Sequence, residues 1–125
     1  MAHSRWVLIV DDDRHISALV TAILRDEGYG VRVASDGQEA LELLTDEQPA
    51  LILLDLHMPR MSGQEFIRVY RQRQGPHVPI VIFSAGQNAE IAARQLQADG
   101  YLTKPFDLRD LLRLLPDGEE SPAAE

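Results

Sequence analysis

Three short, unbroken apolar runs most constrain what this chain can fold into: Trp6–Val10 (WVLIV), Leu51–Leu54 (LILL) and Ile80–Phe83 (IVIF). Runs of four or five apolar residues are too short for a core helix, and they lack polar alternation. That is the pattern of strands covered on both faces. Val31 to Ala34 alternates instead, as a less buried strand nearer an edge would, and Tyr101 to Thr103 supplies a fifth short run. Helical patterns lie between the runs. Ile16, Leu19, Val20, Ile23 and Leu24 repeat at the spacing of one apolar helix face, which Gly28 and Gly30 end. Asp36-Gly-Gln-Glu39 and Ser62-Gly-Gln-Glu65 open two further helices as capping patterns. Leu41 and Leu44 face inward in the first of these, and Phe66, Ile67 and Tyr70 in the second. Ala89 to Ala98 forms a weaker fourth helix, and Asp107 caps a short fifth that Pro116 stops.

Strand and helix therefore alternate five times, which implies a parallel sheet with helices on both faces and right-handed crossovers. A chain of 125 residues suits one such domain. Residues 1–115 form the domain in this reading. Residues 116–125 (PDGEESPAAE) form an acidic tail too poor in apolar residues to fold. With 12 Lys+Arg against 20 Asp+Glu, the formal charge is -8. Such a body is repelled by phosphate backbones and anionic lipid, arguing against direct nucleic-acid binding and membrane insertion. The absence of cysteine excludes disulfides, zinc-thiolate sites and thiol nucleophiles. No signal peptide or span-length apolar stretch is visible, so a cytoplasmic location is expected.

In an open parallel sheet, ligands bind beyond the carboxyl ends of the strands. Asp11, Asp12 and Asp13 follow the first run, Asp55 the third, Ser84 the fourth and Lys104 the fifth. Each has an ordinary structural reading when taken alone. An Asp run before a helix is commonly an N-cap, the role expected of Asp13 in any case, and Lys104-Pro105 could be a turn. Their convergence points to phosphoryl chemistry. Clustered carboxylates call for a hard, oxygen-preferring cation such as Mg²⁺. Asp55 then becomes the natural nucleophile for an aspartyl phosphate, with Lys104 and the Ser84 hydroxyl as phosphate partners.

The segments VLIVDDD (7–13), LILLDLHMPRMSG (51–63), IVIFSA (80–85) and GYLTKPF (100–106) resemble the receiver domain of two-component response regulators. The likeness is to the single-domain, chemotaxis-protein-like type. It implies a flavodoxin-like (βα)5 doubly wound fold, strand order 2-1-3-4-5, and a phosphorylation switch rather than an enzyme. It further implies that Asp55 is the phosphoacceptor. Asp12, Asp55 and the His57 carbonyl would bind Mg²⁺ directly, with Asp11 acting partly through water. Ser84 and Tyr101 would be switch residues, Lys104 would contact phosphate, and the Lys104–Pro105 bond would be cis. A sensor histidine kinase or phosphotransfer protein would be the phosphodonor, and a downstream protein the target. Gly100, where a dimerising subgroup often carries an acidic residue, argues for a monomer or a weak phosphorylation-dependent dimer.

Competing functions fit less well. A haloacid-dehalogenase-type phosphatase needs an Asp two residues after the nucleophile, where this chain has His57. A nucleotide or flavin binder on this fold needs a phosphate-cradling loop after the first strand, where this chain has three aspartates. The remaining alternative is a phosphorylation-independent binding module of the same shape. The His57 side chain is expected at the pocket rim, Trp6 at the opposite end of its strand from the acids, and Gly63 at a helix start.

Overall fold

The computed structural model describes residues 5–115, apart from 46, 59, 74, 76, 77, 86 and 87. The tail, residues 116–125, and the stop at Pro116 lie outside the described residues. In chain order the elements are β1 (Trp6–Val10), α1 (Arg14–Asp26), β2 (Gly30–Ala34), α2 (Gly37–Leu43) and β3 (Leu51–Leu54). There follow α3 (Gly63–Gln72), β4 (Ile80–Ala85), α4 (Asn88–Leu96), β5 (Gly100–Lys104) and α5 (Leu108–Leu114). The strands form one parallel sheet in the order β2-β1-β3-β4-β5. This is the flavodoxin-like, doubly wound arrangement. Strand order reverses at β1, so the crevice of the fold opens between the carboxyl ends of β1 and β3.

The apolar runs divide by strand alternation between two cores. Leu8, Val10, Ile52, Leu54, Ile80 and Ile82 pack beneath α2, α3 and α4. Val7, Ile9, Leu51, Leu53, Val81 and Phe83 pack beneath α1 and α5. β2 is the edge strand that its alternation predicts, with Arg32 and Val33 exposed. Asp13 caps α1 by accepting from the backbone N–H groups of His15 and Ile16. Ser62 and Glu65 form a reciprocal capping box on α3. Asp36 caps α2 through the Glu39 N–H, while the Glu39 carboxylate reaches back to the N–H and hydroxyl of Ser35. At its far end α4 is held by Arg71 of α3, which donates to the carbonyls of Leu96 (2.5 Å) and Gln97 (2.7 Å).

Two expectations need correction. Leu19 is 52% exposed, whereas Ser17 is buried with Val20 and Leu24. The helix is rolled toward its small Ser17, which leaves Leu19 on the outer margin of the apolar stripe. Gly30 does not terminate α1; it opens β2 opposite Trp6. The terminating glycine is Gly28, at φ +92°.

Gly63 has a packing role beyond the start of α3. A Cβ there would lie 2.8 Å from the carbonyl oxygen of Asp55 and 2.9 Å from Cα of Leu56, both backbone atoms with little room to move. Gly63→Ala is therefore expected to destabilise the fold by about 1–3 kcal/mol. Urea denaturation would show a lowered midpoint at unchanged m-value; a midpoint equal to wild type would contradict the packing account.

Candidate functional site: an acidic crevice with one lysine

The sheet delivers the acidic residues to one place by backbone pairing. Ala34 accepts a hydrogen bond from the Asp11 N–H, and Val10 accepts one from the Asp55 N–H, so both carboxylates leave the sheet at the β1–β3 crevice. One oxygen from each of Asp11, Asp12 and Asp55 lies within 4.8 Å of the others. Asp11 and Asp55 are buried, and Asp12 is exposed at the mouth. Asp13 stands outside the group as the α1 cap.

Lys104 reaches in from the end of β5. Its Nζ donates to Asp11 Oδ2 at 2.8 Å, lies 3.9 Å from Asp55 Oδ1, and sits 4.6 Å from the centroid of the Phe83 ring. From the sequence alone, an incoming phosphate is the expected partner of this ammonium. Its hydrogen bond goes to Asp11, which leaves Asp55 the less satisfied carboxylate. The Lys104–Pro105 bond is cis.

The Asp55 carboxyl is pushed above the ordinary carboxylate range, first by burial and second by the Asp11 charge. Lys104, the His57 backbone N–H and the His57 imidazole oppose that shift without cancelling it. The His57 side chain is exposed, at the rim. Three convergent carboxylates, one of them destabilised by its neighbour, form an all-oxygen donor set that fits a hard divalent cation. The residues that could hold one are Asp11, Asp12 and Asp55.

Ser84 is buried at the end of β4, and Tyr101 is 42% exposed on β5. Tyr101 pairs in register with Ile82, and Thr103 pairs with Ser84. By strand alternation, Ser84 and Tyr101 thus share the sheet face covered by α4. Trp6 is buried at the start of β1, the end away from the acids, with the Arg32 guanidinium 4.6 Å from its ring centroid.

Sequence reasoning finds Asp36 as a helix cap but misses its partner Arg60. Arg60 donates through Nε to Asp36 Oδ2 at 2.8 Å and also contacts that oxygen through Nη2. The pair is 24 residues apart in sequence, and no local pattern signals it.

Comparison with known proteins decides the family. The response regulator receiver domain matches residues 7–115. The chain belongs to this family. The receiver domain is 38% identical over 128 residues to response regulator MprA of Mycobacterium sp. (strain KMS), covering 94% of this chain and 55% of that protein. It therefore spans about half the length of the curated relatives it matches. Chemotaxis protein CheY4 of Vibrio cholerae superposes with a TM-score of 0.77 at 34% identity, covering 89% of this chain and 95% of that one. A CheY-like receiver domain protein from Methanospirillum hungatei gives 0.75 at 32% identity, covering 89% and 90%. Among the described residues of this receiver domain, no helix is long and apolar enough to cross a membrane.

The raised pKa of Asp55 carries a definite pH dependence. Between the ordinary carboxylate range, near pH 4, and the raised folded value, the folded state binds more protons than the unfolded state. Asp55 therefore costs stability as pH rises through that window. In metal-free buffer Asp55→Asn is expected to melt above wild type at pH 7. The gap should close as pH falls toward 4. A gap independent of pH would contradict the burial and repulsion account.

Proposed function

We propose that this receiver domain is a phosphorylation switch whose phosphoacceptor is Asp55 and whose resident cation is Mg²⁺. The observation that carries this reading is the meeting of Asp11, Asp12 and Asp55 within 4.8 Å, with the Lys104 ammonium beside them. Asp11, Asp12, Asp55 and the backbone carbonyl of His57 would hold the cation. When bound, Mg²⁺ screens an anionic nucleophile from an anionic donor and polarises the phosphoryl oxygens.

The residues divide the remaining work. A carboxylate oxygen of Asp55, the carboxylate without its own hydrogen bond to the lysine, attacks the phosphorus of a phosphohistidine on a sensor kinase or phosphotransfer protein. A P–O bond forms at Asp55, the P–N bond breaks, and the departing imidazole takes up a proton. The new group adds a charge of roughly -1.5 to -2 if it behaves like other protein phosphates. Lys104 is placed to turn from Asp11 toward it, and the buried Ser84 hydroxyl to donate to it. Charge-assisted contacts of this kind are short and strong enough to bias a two-state equilibrium.

Tyr101 lies two register steps from Ser84 on the same sheet face, so inward movement of Ser84 opens space toward which the exposed ring can turn. Arg71 holds the C-terminal end of α4, so adjustment falls on its N-terminal end. The groove lined by Tyr101, Thr103, Pro105, Asp110 and Arg113, between β5 and α5, is then the face whose shape reports phosphorylation to a downstream protein. No external substrate is turned over. Phosphotransfer and hydrolysis on Asp55 are the only reactions. His57, at the rim, sets how readily water reaches the phosphate.

Intact-mass measurement after incubation with Mg²⁺ and acetyl phosphate tests the reading. One base-labile phosphoryl adduct is expected on wild type, absent from Asp55→Asn and in EDTA. His57→Ala should form the same adduct but lose it at a different rate in a time course. Absence of any adduct, from acetyl phosphate and from kinase partners alike, would instead favour phosphorylation-independent docking.

A further inference from the structure

We propose that Asp36 and Arg60 form a positioning latch that fixes the β3–α3 loop, and with it the His57 carbonyl, for cation binding. This inference rests on the Mg²⁺-site reading above and assigns it two residues that lie outside the crevice.

Asp36 is 2% exposed at the N-terminus of α2. One of its oxygens accepts from the Glu39 N–H at 2.9 Å and the other receives Nε and Nη2 of Arg60. The Glu39 N–H and the Arg60 guanidinium together hold its carboxyl below the ordinary range, so it stays charged for its partner. Arg60 lies in the loop between Asp55 and the Ser62 cap, with its backbone at φ +65°, a left-handed conformation that non-glycine residues rarely adopt. A strained backbone of this sort persists only where surrounding contacts over-determine it.

Those contacts are present. The Gly37 N–H points to the Met61 carbonyl at 3.4 Å, and the Met61 side chain fills the space a Gly37 Cβ would need, 2.9 Å from its Cγ. On the opposite side, the Gly63 N–H donates to the Leu56 carbonyl at 3.2 Å. The loop is thus tied at residues 60–61 by the start of α2 and at residue 56 by the start of α3. His57 lies between the two ties.

The Arg60 side chain is 71% exposed. An ion pair with so exposed a partner contributes little to global stability. Its effect should therefore appear in the geometry of the loop rather than in the melting point, as partners behind metal ligands typically act.

Two single variants and their double test the latch. Asp36→Asn keeps a good helix cap while removing the charge that holds Arg60. Arg60→Asn removes the guanidinium while tolerating the left-handed backbone. Thermal melts establish that each is folded. Calorimetric Mg²⁺ titration is expected to show about tenfold weaker binding in each single variant. The double variant should be no weaker than either single one, because each removes the same contact. In metal-free protein, hydrogen exchange at the His57, Met58 and Met61 amides should be faster in both variants. Arg60→Lys should recover only part of the affinity, since an ammonium cannot reproduce the two-nitrogen grip.

Mg²⁺ binding and loop exchange equal to wild type in both folded variants would overturn the latch while leaving the site reading intact. Wild type that binds no Mg²⁺ would overturn the site reading, and the latch with it.

Discussion

The structure depends most on a repulsion. Parallel pairing of β1 with β3 brings Asp11 and Asp55 into the same crevice, and the first turn beyond β1 adds Asp12. Two of these three carboxylates are buried, where like charges are costly and water cannot relieve them. The protein supplies a single ammonium in answer. Lys104 bonds to Asp11 and is only near Asp55, so the compensation is incomplete, and Asp55, the phosphoacceptor of the proposed function, is the residue left short. An apolar sheet edge would be more stable. Under the proposed function, holding the acids together in this way would store affinity for a cation and make the arrival of a phosphoryl group a large local event.

In that reading, the rest of the molecule would carry the event outward. Ser84 and Tyr101 stand on the same face of neighbouring strands, and Phe83, beneath the Lys104 ammonium, belongs to the core under α1 and α5. The lysine and the serine thus touch opposite sides of the sheet. A charge placed on Asp55 can pull on both at once. Helix α4, clamped at its C-terminal end by Arg71, lies over the serine side, where a small displacement can be converted into a change of surface.

Much of this was legible in the residues alone. Strands buried on both faces announce themselves as unbroken apolar runs. Strand-end acids have a fixed destination once the sheet is known to be parallel. Helix caps at Asp13, Ser62 and Asp107 are local chemistry and were read correctly. What escaped depends on contacts across the fold. The roll of α1 that exposes Leu19 is set by how closely Ser17 approaches the sheet, which helical periodicity does not encode. The choice of Asp11 over Asp55 by Lys104 depends on the reach of one side chain across the crevice. Gly63 looks like any glycine at a helix start until the Asp55 carbonyl is seen against it. The Asp36–Arg60 pair joins two loops that only the folded sheet brings together.

The most direct measurement is the melting of wild type and Asp12→Asn across a series of Mg²⁺ concentrations. A cation that relieves the repulsion binds the folded state alone. Wild-type stability should then climb with the logarithm of Mg²⁺ once its dissociation constant is passed, by about 2.7 kcal/mol at a hundredfold excess. Asp12→Asn, with one exposed carboxylate removed, should begin its climb only at higher concentration. A wild-type melting point indifferent to Mg²⁺, or identical curves for the two proteins, would contradict the view that these carboxylates are assembled around a cation.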